Sequence, residues 1–141
     1  QSVGIIFDYN NFQDYDFFKL MFTDLGLNIN RLRFIAMIDS DKDQANSWDA
    51  FYSKENFDWL GHCKNAEVNE FINFPFDLLL SYYKPNSYEL NIVTAMSKAN
   101  FKVGLSGEDK RLHDLILEIE PNNTSTFKTE LIKYLKTLNK I

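Results

Sequence analysis

Apolar and polar positions along this chain switch between two periods, and the switches mark the elements. Val3 to Phe7 (VGIIF) is apolar without alternation, which predicts a strand buried on both faces and central in its sheet. Asp14 stands as the cap of a helix in which Phe17, Leu20, Met21 and Leu25 recur at helical spacing, and Gly26 ends it. Leu32 to Ile38 predicts a second strand, and the polar DSDKDQ after it a loop. In the aromatic segment from Trp48 to Trp59, Trp48, Phe51 and Tyr52 predict a short strand; Phe57, Trp59 and Leu60 fit an aromatic lid. Core, lid and interface are all open roles for that segment. Glu67 to Phe71 suits a short helix leading to Pro75.

The most legible stretch runs from Phe76 to Leu105. Leu78, Leu79 and Leu80 make a second strand buried on both faces; Pro85 and Asn86 stop it. Asn86 then caps a helix, with Glu89 placed as a capping-box acid, and Phe101 to Leu105 returns as a strand. Such a unit makes a parallel pair with a right-handed crossover. His113 to Ile119 reads as a further strand and Pro121 to Thr126 as a turn and cap. The last helix runs from Phe127 to Asn139. On a wheel of about 100° per residue, Phe127, Leu131, Tyr134, Leu135 and Leu138 share one arc. Lys133, Lys136 and Lys140 fall opposite. Two strand-helix-strand units predict a single three-layer α/β domain over residues 1–141. Its sheet is mainly parallel, with about five or six strands and flanking helices, Rossmann-like but without a glycine-rich loop.

Composition narrows the classes. An apolar content of 45%, with 13 Phe, 7 Tyr and 2 Trp, excludes a disordered chain. No apolar run approaches the roughly 20 residues that span a bilayer, and no signal peptide is visible, so a soluble cytoplasmic protein without a membrane partner is expected. Cys63 is the one cysteine, so no intramolecular disulfide forms, which suits a reducing compartment. A net charge of −5 argues against a general nucleic-acid binder, and DNA is not an expected partner. Docking through one local basic face stays open.

Ligands of open parallel sheets bind beyond the carboxyl ends of the strands. Asp8, Asn10 and Asn11 follow the first strand and Asp39 and Asp41 the second; Ser81 and Tyr83 follow the Leu78–Leu80 run, and Ser106 and Gly107 the next. Asp8, Asp39, Asp41, Ser81 and Ser106 are thus the candidate ligand site; the other reading is that they cap helices and satisfy loop backbone. Asp39, Asp41 and Asp43 start like a calcium loop, but Gln44 and Ala50 stand where its Gly and Glu belong. The turn after the first strand has no glycine, which excludes a dinucleotide fingerprint or a Walker loop there. Gly104 and Gly107 read as a turn. His62 and Cys63 are adjacent and point apart, and structural roles are expected for both and for His113. No catalytic residue, metal site or cofactor is implied.

VGIIFDYNNF, FDLLLSYY, SKANFKVGL and the ending LIKYLKTLNKI together resemble an uncharacterised domain family of Bacteroidota bacteria over nearly the whole chain. That resemblance implies a small cytoplasmic α/β domain without an assigned activity. Members usually carry a short Lys-rich segment ahead of the first strand, which this chain lacks. Locally, Phe76 to Leu105 is similar to the N-terminal domain of lipopolysaccharide heptosyltransferases. Ser81 stands where such enzymes often have an acid, and their nucleotide-sugar domain has no counterpart here.

The expectation is therefore a non-enzymatic accessory protein docking onto a larger assembly, most concretely the ribosome. Lys133, Lys136 and Lys140 would contact rRNA phosphates or a ribosomal protein. The competing expectation is a nucleotide or nucleotide-sugar module or enzyme at the strand ends, with Asp8, Asp39 and Asp41 holding a metal or acting as base. A homo-oligomeric scaffold built on the aromatic segment is the third.

Overall fold

A computed structural model describes residues 1–38, 50–53, 56–57, 63–85 and 87–139. Among these residues, six strands form one all-parallel sheet in the order β3-β2-β1-β4-β5-β6. The strands are β1 (Val3–Asp8), β2 (Leu32–Met37), β3 (Ala50–Tyr52), β4 (Leu78–Tyr82), β5 (Lys102–Gly104) and β6 (Leu115–Ile116). Four α-helices flank them: α1 (Tyr15–Asp24), α2 (Ala66–Asn73), α3 (Tyr88–Met96) and α4 (Thr124–Thr137). The expected mainly parallel α/β sheet with flanking helices is what forms.

The apolar runs explain the order. β1 and β4 are the strands with no polar face, so they take the centre, in register from Val3 opposite Leu78 to Phe7 opposite Tyr82. Val3, Ile5 and Phe7 join Phe34, Leu80 and Tyr82 on one face, beneath α1 and α4. Ile6, Ile35 and Leu79 point the other way, beneath α2 and α3. The chain steps outward from β1 to β2 in one direction and from β4 to β5 in the other. Right-handed crossovers made in opposite directions must lie on opposite faces, which is why α1 and α3 do. The order reverses between β1 and β4, the switch point of a doubly wound sheet.

Several boundaries differ from expectation. Asp14 caps α1 as expected, its carboxylate accepting from the Phe17 N–H, and Gly26 ends it at φ +89°. Its buried face, however, is Phe18, Met21 and Phe22; Leu20 is 65% exposed. The cap of α3 is Ser87, whose hydroxyl accepts from Leu90 N–H, so Glu89 is not at the capping-box position; Asn86 lies outside the described residues. The last two strands are shorter than their apolar runs; beyond their ends Leu105, Leu117 and Ile119 are buried and Phe101 is partly so, and Leu79 N–H to the Phe101 carbonyl and Leu117 N–H to the Gly104 carbonyl continue the cross-strand bonding. α4 begins three residues early, at Thr124, and Leu138 at its end is 44% exposed rather than packed. Phe51 and Tyr52 do form β3, and Phe57 packs on the α2–α3 side; Trp48, Trp59 and Leu60 lie outside the described residues.

Candidate functional site

The carboxyl end of the sheet is where a doubly wound fold places ligands. At its switch point, the sequence supplies DYNNF instead of glycines. Asp8 closes this turn on itself. Its carboxylate accepts from the Asn10 N–H and from the Asn11 side-chain amide, both at 3.1 Å, and its carbonyl accepts from the N–H groups of Asn11 and Phe12. The turn delivers the Phe12 ring onto Tyr82, 4.8 Å between centroids, and onto Phe18 and Phe7 at 5.4 and 6.1 Å. Tyr9 packs edge-on against Phe51. The N-terminus of α1, the usual seat of a phosphate, is taken by the Asp14 carboxylate 3.0 Å from Phe17 N, with Asp16 in the first turn. The crevice is filled by aromatic rings, and its anion site by an acid.

The second part of this end lies on the α3 side. Leu79, Ser81 and Tyr83 alternate onto that face of β4. Ser81 is 1% exposed, and its hydroxyl is 3.1 Å from that of Thr94 on α3. Thr94 is also 2.8 Å from the Tyr83 hydroxyl, which donates to Asn91 Oδ1 at 3.0 Å. Lys102 of β5 reaches the same helix, donating to the Thr94 carbonyl at 2.7 Å. Gly104, in register with Ser81, carries the His113 ring: a Cβ there would lie 2.8 Å from His113 Cδ2 and Nε2. Gly107 turns the chain at φ +84° against Pro85, so that Glu108 goes inward.

Burial dominates the electrostatics here. It pushes the Glu108 carboxyl up to about 7, with the neighbouring Asp109 adding to the rise. It pushes the Tyr83 phenol well above its ordinary range; the Thr94 hydrogen bond opposes this and Glu108 reinforces it. It lowers the His113 imidazole, which accepts a further push from Lys102, against the Asp109 carbonyl bonded to its Nδ1. It also lowers the Lys102 ammonium, which Asp114 opposes. Both Glu108 carboxylate oxygens and His113 Nε2 are buried without a hydrogen-bond partner.

The sequence-derived candidates do not converge. Asp8 serves its own turn, Ser81 is sealed beneath α3, and Ser106 donates to Glu118 Oε2 at 3.0 Å, near the β6 edge. Asp39 and Asp41 lie outside the described residues. Among the described residues no group of three or more His, Cys, Asp or Glu is arranged to hold a metal. Cys63, its thiol raised by burial, sits by Phe57 on the β3 side, while His113 sits on β5; three strands separate them, and His62 lies outside the described residues. Glu108 escaped the sequence reading because acids are normally exposed and GLSGEDK carries every mark of a solvated turn.

The lysine face of α4 is partly engaged. Lys133 is 3.7 Å from Glu130 and lies over the Tyr134 ring; Lys136 is exposed, and Lys140 lies outside the described residues. At the opposite end of the sheet, a groove of about 470 Å³ opens between the C-terminal ends of α1 and α4, lined by Phe22, Leu25, Leu78, Phe101 and Leu135. No described helix is long and apolar enough to cross a membrane.

Comparison with curated proteins and with solved structures found no match. A family model matches residues 1–138, nearly the whole length over which the sheet, the filled switch point and α4 extend, and the chain belongs to that family, a family of unknown function (DUF6913).

Proposed function

We propose that this protein is a non-enzymatic accessory factor that docks onto a larger macromolecular assembly, most concretely a ribosome-associated or ribosomal protein of Bacteroidota. One observation carries the reading: the switch point is occupied by the chain's own side chains. Phe12 fills the crevice, and the Asp14 carboxylate takes the helix N-terminus where a phosphate would sit. A second carboxylate, Asp8, is committed to closing the turn. A fold with its ligand end built shut acts through its surface instead. The face offered is that of α4, where Lys133 and Lys136 stand exposed, and Lys140 follows in sequence. Contacts of this kind with rRNA phosphates weaken steeply as salt rises.

Sucrose-gradient sedimentation of tagged full-length protein tests the reading. Co-sedimentation with ribosomal particles at low salt, released at high salt and lost in Lys133→Glu/Lys136→Glu, is expected. A profile confined to the soluble top fractions at low salt overturns the ribosomal form. The second reading, a small-ligand module, draws on the Ser81–Thr94–Tyr83 hydroxyl chain at the strand ends. A thermal-shift screen with nucleotides, nucleotide-sugars and divalent ions decides it: ligand at ten times its dissociation constant stabilises by about 1.4 kcal/mol, and no shift with any class removes it.

A further inference from the structure

The connection from β5 to β6 contains no helix, and the hydrogen bonds of residues 107–113 stay within a few residues of the chain. Glu108 N–H donates to the Leu105 carbonyl at 3.1 Å, Leu112 N–H to the Asp109 carbonyl at 3.1 Å, and the Asp109 carboxylate gathers the Arg111 backbone and guanidinium. His113 Nδ1 also bonds within the segment, to the Asp109 carbonyl at 2.9 Å. Among the described residues, one hydrogen bond leaves the stretch from Gly107 to His113, that of Glu108 N–H back to the Leu105 carbonyl. Three seatings hold it down: Gly107 on Pro85, the His113 ring on Gly104, and the inserted Glu108 side chain. Outside those seats it is anchored by Ser106 at one end, through Glu118 and the Ile119 carbonyl, and at the other by Asp114 N–H on the Lys102 carbonyl.

We propose that residues 107–113 form a flap over the carboxyl end of β4 and β5, held shut by a protonated Glu108 and released when Glu108 ionises. Glu108 is 5% exposed, and neither of its oxygens has a donor. An ionised carboxylate in that position has nothing to compensate its lost hydration. The groups that face it are acids: the Tyr83 phenol, just past the end of β4, and Asp109 from the flap itself. Within the flap, Arg111 is already bound to Asp109. Rotation about the Gly107 turn, which a residue with a side chain would adopt only under strain, returns Glu108 to water and breaks one hydrogen bond, that of its own N–H to the Leu105 carbonyl. His113 is the second seat and has the opposite sense. It faces Lys102 from β5, and Asp109 and Asp114 from its own segment, and its buried Nε2 tolerates no proton without a partner. Opening lifts the ring off Gly104, beside Ser81, and uncovers the strand end next to the Ser81–Thr94–Tyr83 hydroxyls.

Amide hydrogen exchange at pH 4.5 and pH 8, corrected for intrinsic rates, tests the flap. The reporter is the amide of Glu108, whose bond to the Leu105 carbonyl spans the Gly107 turn, and the Asp114 amide, held on Lys102, marks the fixed hinge. Between these pH values, ionisation of Glu108 lowers the protection of its own amide by about a hundredfold relative to Glu108→Gln, with β1 and β4 amides unaffected. Comparison with the variant removes the opposing contribution of His113. Should Glu108→Gln not fold, the wild-type carboxyl resonance of Glu108 replaces it: it titrates near neutrality, in step with the loss of protection. A wild-type to variant ratio constant within about twofold across the range, or a Glu108 carboxyl that titrates like an exposed acid, overturns the proposal.

Discussion

Replacing Phe12 by Ala tests whether the switch point is filled as described. The ring is half-buried and packs on Tyr82, Phe18 and Phe7, with Tyr82 closest at 4.8 Å. A fully buried Phe costs about 3–5 kcal/mol when cut to Ala, and the partial exposure of Phe12 brings its burial share to roughly half of that. Each lost aromatic pair adds about 0.5–1.5 kcal/mol, and of the three only Tyr82 and Phe18 lie within close range. The sum is a loss of about 4 kcal/mol, or roughly 14 °C in Tm for a chain of this size. Urea unfolding followed by far-UV circular dichroism measures it. A loss below about 1 kcal/mol would mean that the ring is a surface residue, and the argument for a closed crevice would fail with it. The variant also separates two kinds of closure. With the ring gone, Asp8 and Asp14 still present carboxylates to the space, so no nucleotide is expected to shift its Tm.

The remaining predictions concern packing and protonation. Gly4→Ala places a Cβ 2.7 Å from the buried Phe76 ring and 3.0 Å from Phe71, so chemical denaturation should register about 1–3 kcal/mol of overpacking; an unchanged midpoint would show that the rings give way freely. Tyr83→Phe removes the hydroxyl shared by Asn91 and Thr94 and should cost about 1–2 kcal/mol, whereas a neutral result would mean that the hydroxyl chain contributes nothing. The carboxyl of Glu108 is raised from 4.5 to about 7, so the stability it contributes is full below pH 4.5 and is lost as pH rises through 7. Relative to Glu108→Gln, the wild type should therefore lose about 3 kcal/mol between pH 4.5 and 8, or less if the flap opens before the core unfolds; equal losses in the two proteins would contradict this.

Periodicity carried the fold a long way. The runs of β1 and β4 announced strands buried on both faces, and burial on both faces forces a central position and helices above and below. Asp14 and Gly26 bounded α1 because a cap acid and a left-handed turn residue act locally, through bonds within a few residues. Where local signals competed, they misled. Asn86 and Ser87 are both good caps, and the chain uses Ser87. Leu20 is a better core residue than its exposure suggests, but the arc of α1 that meets the sheet is centred on Phe18 and Phe22. The candidate site was less legible. Asp8 and Ser106 were rightly put at strand ends, yet chain position says nothing about which hydroxyl or carboxylate a neighbouring side chain already holds.

The amino-acid pattern was enough to specify the α/β class, the parallel crossovers, the central strands and the absence of a glycine cradle, since each follows from burial and backbone preference within a short window. The strand order with its reversal between β1 and β4, the ring of Phe12 in that reversal, the sealing of Ser81 under Thr94 and the burial of Glu108 are of another kind. They depend on contacts between residues far apart in the chain, and they arise when the two halves of the sheet pack together. An acid in GLSGEDK is an ordinary turn residue until Gly107 seats on Pro85 and Glu108 turns inward toward Tyr83.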